Sequence, residues 1–143
     1  MIDDEGRVVH EVVIRASQRE AYAFFTDAAR LTEWIGIAAD LEPVAGGVFR
    51  FEIQPGEHCE GRYIEASPYD RVAFTWGWTS PAWNLPPGTS RVDVELSEAG
   101  DGSEPATLVR LVHSQLPGEL RALHEEGWTT FLARLGAVSA GAP

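Results

Sequence analysis

The chain has 143 residues, 44% of them hydrophobic and 10% aromatic, which is enough apolar material for one folded domain with a substantial core. Its formal net charge of −11 at pH 7 opposes contact with nucleic acids and anionic membranes, so we expect neither as a partner. All 11 basic residues are arginines, which excludes a lysine Schiff base, and the single cysteine excludes an internal disulfide.

The beginning of the chain predicts one strand followed by two short helices. Residues 7–16 are rich in Val and Ile, which favours a strand. Ser17 and Glu20 have the spacing of a capping box, so a short helix is expected to begin there. Asp27 is suited to cap a second short helix that ends near Trp34.

The middle of the chain alternates apolar and polar residues in short runs separated by turns. The alternation is clearest where Phe49, Phe51 and Ile53 share one side and Arg50 and Glu52 share the other. Because short turns join these runs, they are expected to form an antiparallel meander. The six predicted strands are residues 37–43, 48–53, 58–66, 71–78, 90–97 and 107–113.

Residues 117–138 predict a long amphipathic helix that must pack against this sheet, which makes the fold class α+β. Pro117 suits the first turn of a helix, where its missing N–H group has no consequence. Apolar residues then recur at helical spacing and form one stripe. The stripe comprises Leu120, His124, Gly127, Trp128, Phe131, Leu135 and Val138. Residues 139–143 are expected to be a frayed end.

No apolar run approaches the roughly 18 residues that a membrane-spanning helix needs. The N-terminal residues are acidic, which is not typical of a secretory signal. We therefore expect a cytoplasmic protein.

Short landmarks spread along the chain carry a family resemblance. In this order they resemble the START-like (SRPBCC) superfamily and, within it, the family of the heat-shock ATPase activator C-terminal domain (Aha-type). The resemblance implies a single helix-grip domain over residues 1–143, with the order β-αα-β6-α and a curved antiparallel sheet around the long helix. It also implies an internal cavity between the sheet and the helix. The landmarks are Ala16, Ser17, Thr26, Asp27, Leu31, Trp34, Gly46, Gly47, Phe49, Gly61 to Glu65, Pro68, Arg71 to Trp76, His124, Gly127, Trp128, Leu132 and Leu135.

Aromatic side chains dominate the surface that is expected to line this cavity, and aromatic rings supply flat apolar area for ligands. Trp34 and Trp83 are expected near its mouth. The Pro-rich residues 79–88 are either a semi-rigid lid or a loop that Trp83 anchors to the sheet. The predicted ligand-binding residues are Trp34, Phe49, Phe51, Tyr63, Trp76, Trp78, Trp83, His113, His124, Trp128 and Phe131.

Acid–base chemistry would require two of the polar residues His113, His124, Tyr63 and Glu65 to meet at one point of the cavity. Tyr63 and Glu65 lie two residues apart on a predicted strand and are expected to share a face. For each of the four, a structural role is the favoured interpretation: a histidine bonded to backbone, or a surface ion pair. We therefore predict no catalytic residue.

No cofactor and no metal site are predicted. His58, Cys59 and Glu60 are ligand types that metals use, but adjacent residues on a strand point to opposite faces and cannot converge on one ion.

The sequence favours a protein that binds a hydrophobic, partly aromatic small molecule in the cavity. Three alternatives stay open: an enzyme similar to polyketide cyclases or dehydratases, a self-resistance protein that sequesters a toxic natural product, and a stress protein similar to co-chaperones. A homodimer and, with less support, a chaperone are further partners that the sequence leaves open.

Overall fold

The computed structural model describes residues 1–141, and its strands form one curved, open antiparallel sheet. The strand order in the sheet is β1-β7-β6-β5-β4-β3-β2, so β2 to β7 form the predicted meander and β1 pairs with β7. The predicted order β-αα-β6-α and the helix-grip fold class are confirmed. The strands are β1 (Val8–Ile14), β2 (Ala38–Leu41), β3 (Val48–Gln54), β4 (Glu57–Ser67), β5 (Arg71–Trp76), β6 (Ser90–Glu98) and β7 (Thr107–Ser114).

Two short helices, α1 (Gln18–Thr26) and α2 (Ala28–Leu31), connect β1 to β2. Ser17 and Glu20 form the predicted capping box at the start of α1. Asp27 ends α1 and also caps α2, because its carboxylate accepts hydrogen bonds from the backbone N–H groups of the next helix.

The long C-terminal helix, α3 (Gly118–Ser139), packs along the sheet and against β1. The predicted frayed end begins inside this helix, since Ser139 is its last residue, and residues 142 and 143 lie outside the described residues. The stripe buries Leu120, His124, Trp128, Leu132 and Leu135. Leu132 was missing from the predicted stripe, whereas Gly127, Phe131 and Val138 are half-buried.

Tyr63 and Glu65 do not share a face, contrary to the expectation from their spacing. The pairing of β4 with β5 shifts between these two residues, and such a bulge turns the following side chains to the other face. The Tyr63 ring is buried, whereas Glu65 pairs with Arg71 at 3.1 Å on the outer face. The sequence pattern alone does not show where a strand carries an extra residue.

The chain leaves the regular part of β5 at Gly77 and folds back on itself. A Cβ atom at Gly77 would collide with the carbonyl oxygen of Pro86, so glycine is required for this close approach. Trp78 then donates its backbone N–H to the carbonyl of Leu85 at 2.7 Å. Strand β5 therefore ends at Trp76, two residues before the predicted end, and Trp78 is held by the returning loop.

Within residues 1–141, no helix is both long and apolar enough to cross a membrane.

Candidate functional site

A pocket of about 330 Å³ lies between α3 on one side and the sheet with the loop after β5 on the other. The pocket is partly open to solvent, and Leu123 on its rim is 48% exposed. Its lining is mostly apolar and aromatic, as is typical of small-molecule sites. The lining residues are Ile53, Trp76, Trp78, Trp83, Leu123, His124, Glu126, Gly127, Trp128, Thr130 and Phe131.

Three indole rings form the wall opposite α3. Trp83 stacks on Trp78 with a centroid distance of 4.2 Å and an interplanar angle of 15°, and Trp76 meets Trp78 edge to face at 5.5 Å. Trp83 ends a short 3₁₀ helix (Pro81–Trp83) that Ser80 caps. Of the two roles that the sequence left open for this loop, the structure shows the one in which Trp83 anchors it.

His124 connects α3 to this wall through both of its ring nitrogens. An indole N–H can only donate, so the 3.2 Å contact of Trp78 Nε1 with His124 Nε2 makes this nitrogen the acceptor. The proton then resides on Nδ1, which donates to the carbonyl oxygen of Leu120 at 2.9 Å. His124 is thus held as a neutral imidazole of defined tautomer, with no free lone pair on either nitrogen.

His113 on β7 is held in the opposite tautomer by the same argument. Trp128 Nε1 donates to His113 Nδ1 at 3.0 Å, which leaves the proton on Nε2. Nε2 donates to Ser90 Oγ at 2.8 Å, and the Ser90 hydroxyl donates to the carbonyl oxygen of Trp76 at 2.8 Å. Every polar atom in this series of hydrogen bonds has a partner.

Burial keeps both histidines uncharged. It lowers the pKa of His113 well below its usual range, and the neighbouring His124 lowers it further. Burial also lowers the pKa of His124, although the hydrogen bond to Leu120 opposes this shift. The two rings lie 5.2 Å apart, but with all four nitrogens engaged they have no acceptor site for a substrate proton.

Trp76 is the polar exception in the pocket wall. Its side chain is 3% exposed, and its Nε1 has no hydrogen-bond partner among residues 1–141. A buried donor without a partner costs about 1–3 kcal/mol.

The structure places the remaining predicted site residues in the core and away from the pocket lining. Phe49, Phe51 and Tyr63 form a cluster of rings in which Phe49 stacks on Phe74 at 3.9 Å. Trp34 was expected near the mouth, but it is buried and its Nε1 donates to the carbonyl of Phe24 at 3.0 Å.

His113 is a further predicted residue that is buried and outside the pocket lining. His113 lies behind Trp76 and Trp128. The Tyr63 hydroxyl donates to the carbonyl of Phe25 at 2.8 Å, and burial raises its pKa.

Sequence reasoning brought six of the lining residues to one place, namely Trp76, Trp78, Trp83, His124, Trp128 and Phe131. It did not assign Ile53, Leu123, Glu126, Gly127 or Thr130 to the site. The α3 residues of this group could have been predicted from the sequence. Positions three or four residues from His124 and Phe131 lie on the same helix face.

The strand alternation places Cys59 inside the sheet and His58 and Glu60 at its half-buried outer side. Burial raises the pKa of the Cys59 thiol well above its usual value. Within residues 1–141, no three His, Cys, Asp or Glu side chains are placed to hold a metal ion.

Comparisons with solved structures agree with this architecture. The AHSA1-like protein from Rhizobium etli is 33% identical, with a TM-score of 0.72 over 99% of this chain and 88% of that chain. The Aha1 dimer from Colwellia psychrerythraea is 20% identical, with a TM-score of 0.75 over 92% of this chain and 93% of that chain. At such low identity it shows the fold alone.

DynU16, a protein in the dynemicin biosynthetic locus, is 24% identical, with a TM-score of 0.73 over 99% of this chain. The match covers 49% of DynU16, so this chain spans about half the length of that relative. No curated protein matches the chain. The family model described as Activator of Hsp90 ATPase homolog 1-like protein matches residues 15–140, and the chain therefore belongs to this family.

Proposed function

We propose that this protein binds a hydrophobic, partly aromatic small molecule in the pocket between α3 and the sheet. The observation that carries the proposal is the pocket of about 330 Å³ with a mostly aromatic and aliphatic lining. This volume lies at the lower end of the range of roughly 300–1,000 Å³ for ligand pockets. Core side chains leave this space open, although aromatic side chains fill the rest of the core under the sheet.

The polar groups of the pocket support binding more than catalysis. Acid–base catalysis needs a group that can take or give a proton at the reacting atom. His113 and His124 use all their nitrogens within the protein, Tyr63 donates to Phe25, and Glu65 lies on the outer face. An enzyme similar to polyketide cyclases that relied on these four residues would have no free acid–base pair.

A narrower form of the proposal is sequestration of a toxic natural product for self-resistance. The observation that favours it is the structural similarity to DynU16, a protein in the dynemicin biosynthetic locus. A co-chaperone role has no comparable support from the geometry. A homodimer, as in the Aha1 relative from Colwellia psychrerythraea, and a cytoplasmic location stay predictions.

A thermal-shift screen against uncharged aromatic natural products and lipids tests the proposal. A ligand at about 100 times its dissociation constant stabilises the protein by roughly 2.7 kcal/mol. For a domain of this size the midpoint should rise by several degrees. Absence of any shift across the library would contradict the proposal.

Two variants locate the site of any ligand found in this way. Phe131→Ala removes a ring from the pocket wall and should reduce the rise in the unfolding midpoint that the ligand causes. Tyr69→Ala is the matched control, because Tyr69 is an exposed aromatic residue that packs on Tyr22, outside the pocket lining. Equal loss in both variants would contradict binding in this pocket.

A further inference from the structure

We propose that the ligand is a planar, uncharged aromatic ring system and that Gly127 is the residue that admits it. This inference rests on the proposed function and names the class of ligand for the same pocket. Three features carry it: a gap in the side-chain surface of α3, flat indole walls opposite that gap, and the absence of any cation from the pocket lining of the described residues.

The gap in α3 is at Gly127, in the middle of the helix. Glycine inside a helix is less favourable than alanine by roughly 0.5–1 kcal/mol, so this position weakens α3. No close packing requires the glycine, because a Cβ atom built there would have no heavy atom within 4 Å. A side chain at this position would occupy space in the pocket, because Gly127 belongs to the lining.

The bare backbone at Gly127 leaves room for a flat ligand beside α3. Leu123 and Phe131 lie one turn away on either side along α3, and the indole wall of Trp76, Trp78 and Trp83 lies across the pocket. A planar ring can stack on indole faces while its other face lies against the helix at Gly127. A saturated ring system has no flat face with which to stack in this way.

The charge of the lining selects against anions. Among residues 1–141, Glu126 is the one charged residue of the lining, it is exposed, and it repels negative groups at the rim. His124 is neutral and has no unused donor, so a carboxylate or phosphate would meet no positive charge in the pocket. Burying an unpaired anion is strongly unfavourable, which disfavours fatty acids and phospholipid headgroups.

The test uses three probes that separate shape from charge, with dissociation constants measured by isothermal titration calorimetry at pH 7.5. 2-Acetylnaphthalene is planar and neutral, 2-naphthoate has nearly the same shape but is anionic, and 1-acetyladamantane is neutral with the same carbon count but is not planar. We expect 2-acetylnaphthalene to bind about tenfold or more tightly than each of the other two, because 2-naphthoate buries an unpaired charge and 1-acetyladamantane has no flat face for stacking.

The matched variants are Gly127→Ala and Gly136→Ala, which add the same methyl group to α3. A Cβ at Gly136 would meet Val12 at an ordinary 3.9 Å, and Gly136 is outside the pocket lining. Gly127→Ala should raise the dissociation constant of 2-acetylnaphthalene about tenfold, because the added methyl group occupies space that the ligand needs. Gly136→Ala should leave the dissociation constant unchanged.

The outcomes separate this inference from the proposed function. If no probe binds the unaltered protein at millimolar concentration, the inference is overturned, and the thermal-shift screen decides the proposed function separately. If 2-acetylnaphthalene binds but Gly127→Ala binds it equally well, or if 2-naphthoate or 1-acetyladamantane binds as tightly, the inference is overturned and the binding function stands. Weakening by Gly127→Ala alone, together with the expected probe order, supports both.

Discussion

Two indole N–H groups in the same cluster of rings have opposite hydrogen-bonding situations. Trp128 and Trp76 are each 3% exposed, and their rings lie 5.0 Å apart. Trp128 donates to His113, whereas Trp76 Nε1 has no partner within residues 1–141. Replacing either ring removes similar apolar area, so a comparison of the two isolates the hydrogen bond.

Trp128→Phe should therefore destabilise the protein more than Trp76→Phe does. In the first variant His113 Nδ1 loses its donor and remains buried, which adds about 1–3 kcal/mol. In the second the lost N–H had no partner. Urea denaturation, read as the free energy of unfolding, measures the difference. Equal losses in the two variants would show that the bond to His113 contributes nothing, or that Trp76 Nε1 has an acceptor in solution.

Sequence reasoning at this scale placed His113 and His124 near one another but could not assign their protons. Alternation along β7 and the stripe of α3 each predict which way a side chain points. The tautomers depend on which indole reaches which nitrogen. That depends on Trp78 and Trp128, which approach from different elements.

Gly127 and Gly136 lie in the interior of α3, and Gly127 alone belongs to the pocket lining. Both lie within the helix at positions where a methyl group meets no close atom. Gly77 differs, because there a Cβ atom would collide with the carbonyl of Pro86. Replacement of glycine by alanine is therefore expected to stabilise the protein at Gly127 and Gly136, through helix propensity. The same replacement is expected to destabilise it at Gly77, through the collision.

Gly127→Ala and Gly136→Ala should each raise the free energy of unfolding by about 0.5–1 kcal/mol. Gly77→Ala should lower it, because the backbone has to move. Thermal unfolding followed by circular dichroism measures all three. A destabilised Gly127→Ala variant would indicate that the space beside Gly127 is filled in solution, and it would also weaken the case for a pocket there.

For whole elements, local signals predicted type and order well and boundaries less well. The capping box of α1 and the Asp27 cap of α2 depend on residues three or fewer apart, and both were predicted correctly. The predicted end of α2 near Trp34 was wrong, because the helix ends at Leu31. The bulge in β4 and the early end of β5 depend on contacts with other segments. Both errors arose where the deciding partner is distant in sequence.

At the scale of the whole molecule, buried neutral histidines couple folding to pH. Burial lowers the pKa of His10, His113 and His124 in the folded chain. The unfolded chain binds protons near the ordinary histidine value of about 6.5. Between pH 7.5 and 5.5 the unfolded state therefore takes up protons that the folded state does not, and stability decreases as the pH falls.

The expected decrease from pH 7.5 to 5.5 is about 2–3 kcal/mol if two histidines stay neutral in the folded state. Carboxylates whose pKa is lowered, such as Asp3 and Glu125, lose their contribution only at more acidic pH. Urea denaturation at several pH values measures the slope. His124→Asn, which keeps a donor for Leu120, should reduce the decrease by about half. A slope that does not differ between this variant and the unaltered protein would contradict the coupling.

The sequence by itself determined the fold class, the element order and the aromatic character of the site, because periodicity and capping act over a few residues. Its prediction for the pocket lining included Trp76, Trp78, Trp83, His124, Trp128 and Phe131, and these six side chains line the pocket. Only the tertiary structure decided which rings fill the core and which surround a pocket, because packing against α3 and the loop after β5 sets that division. The pairing of each indole with its histidine was decided there too, since such bonds join side chains from elements far apart in the chain.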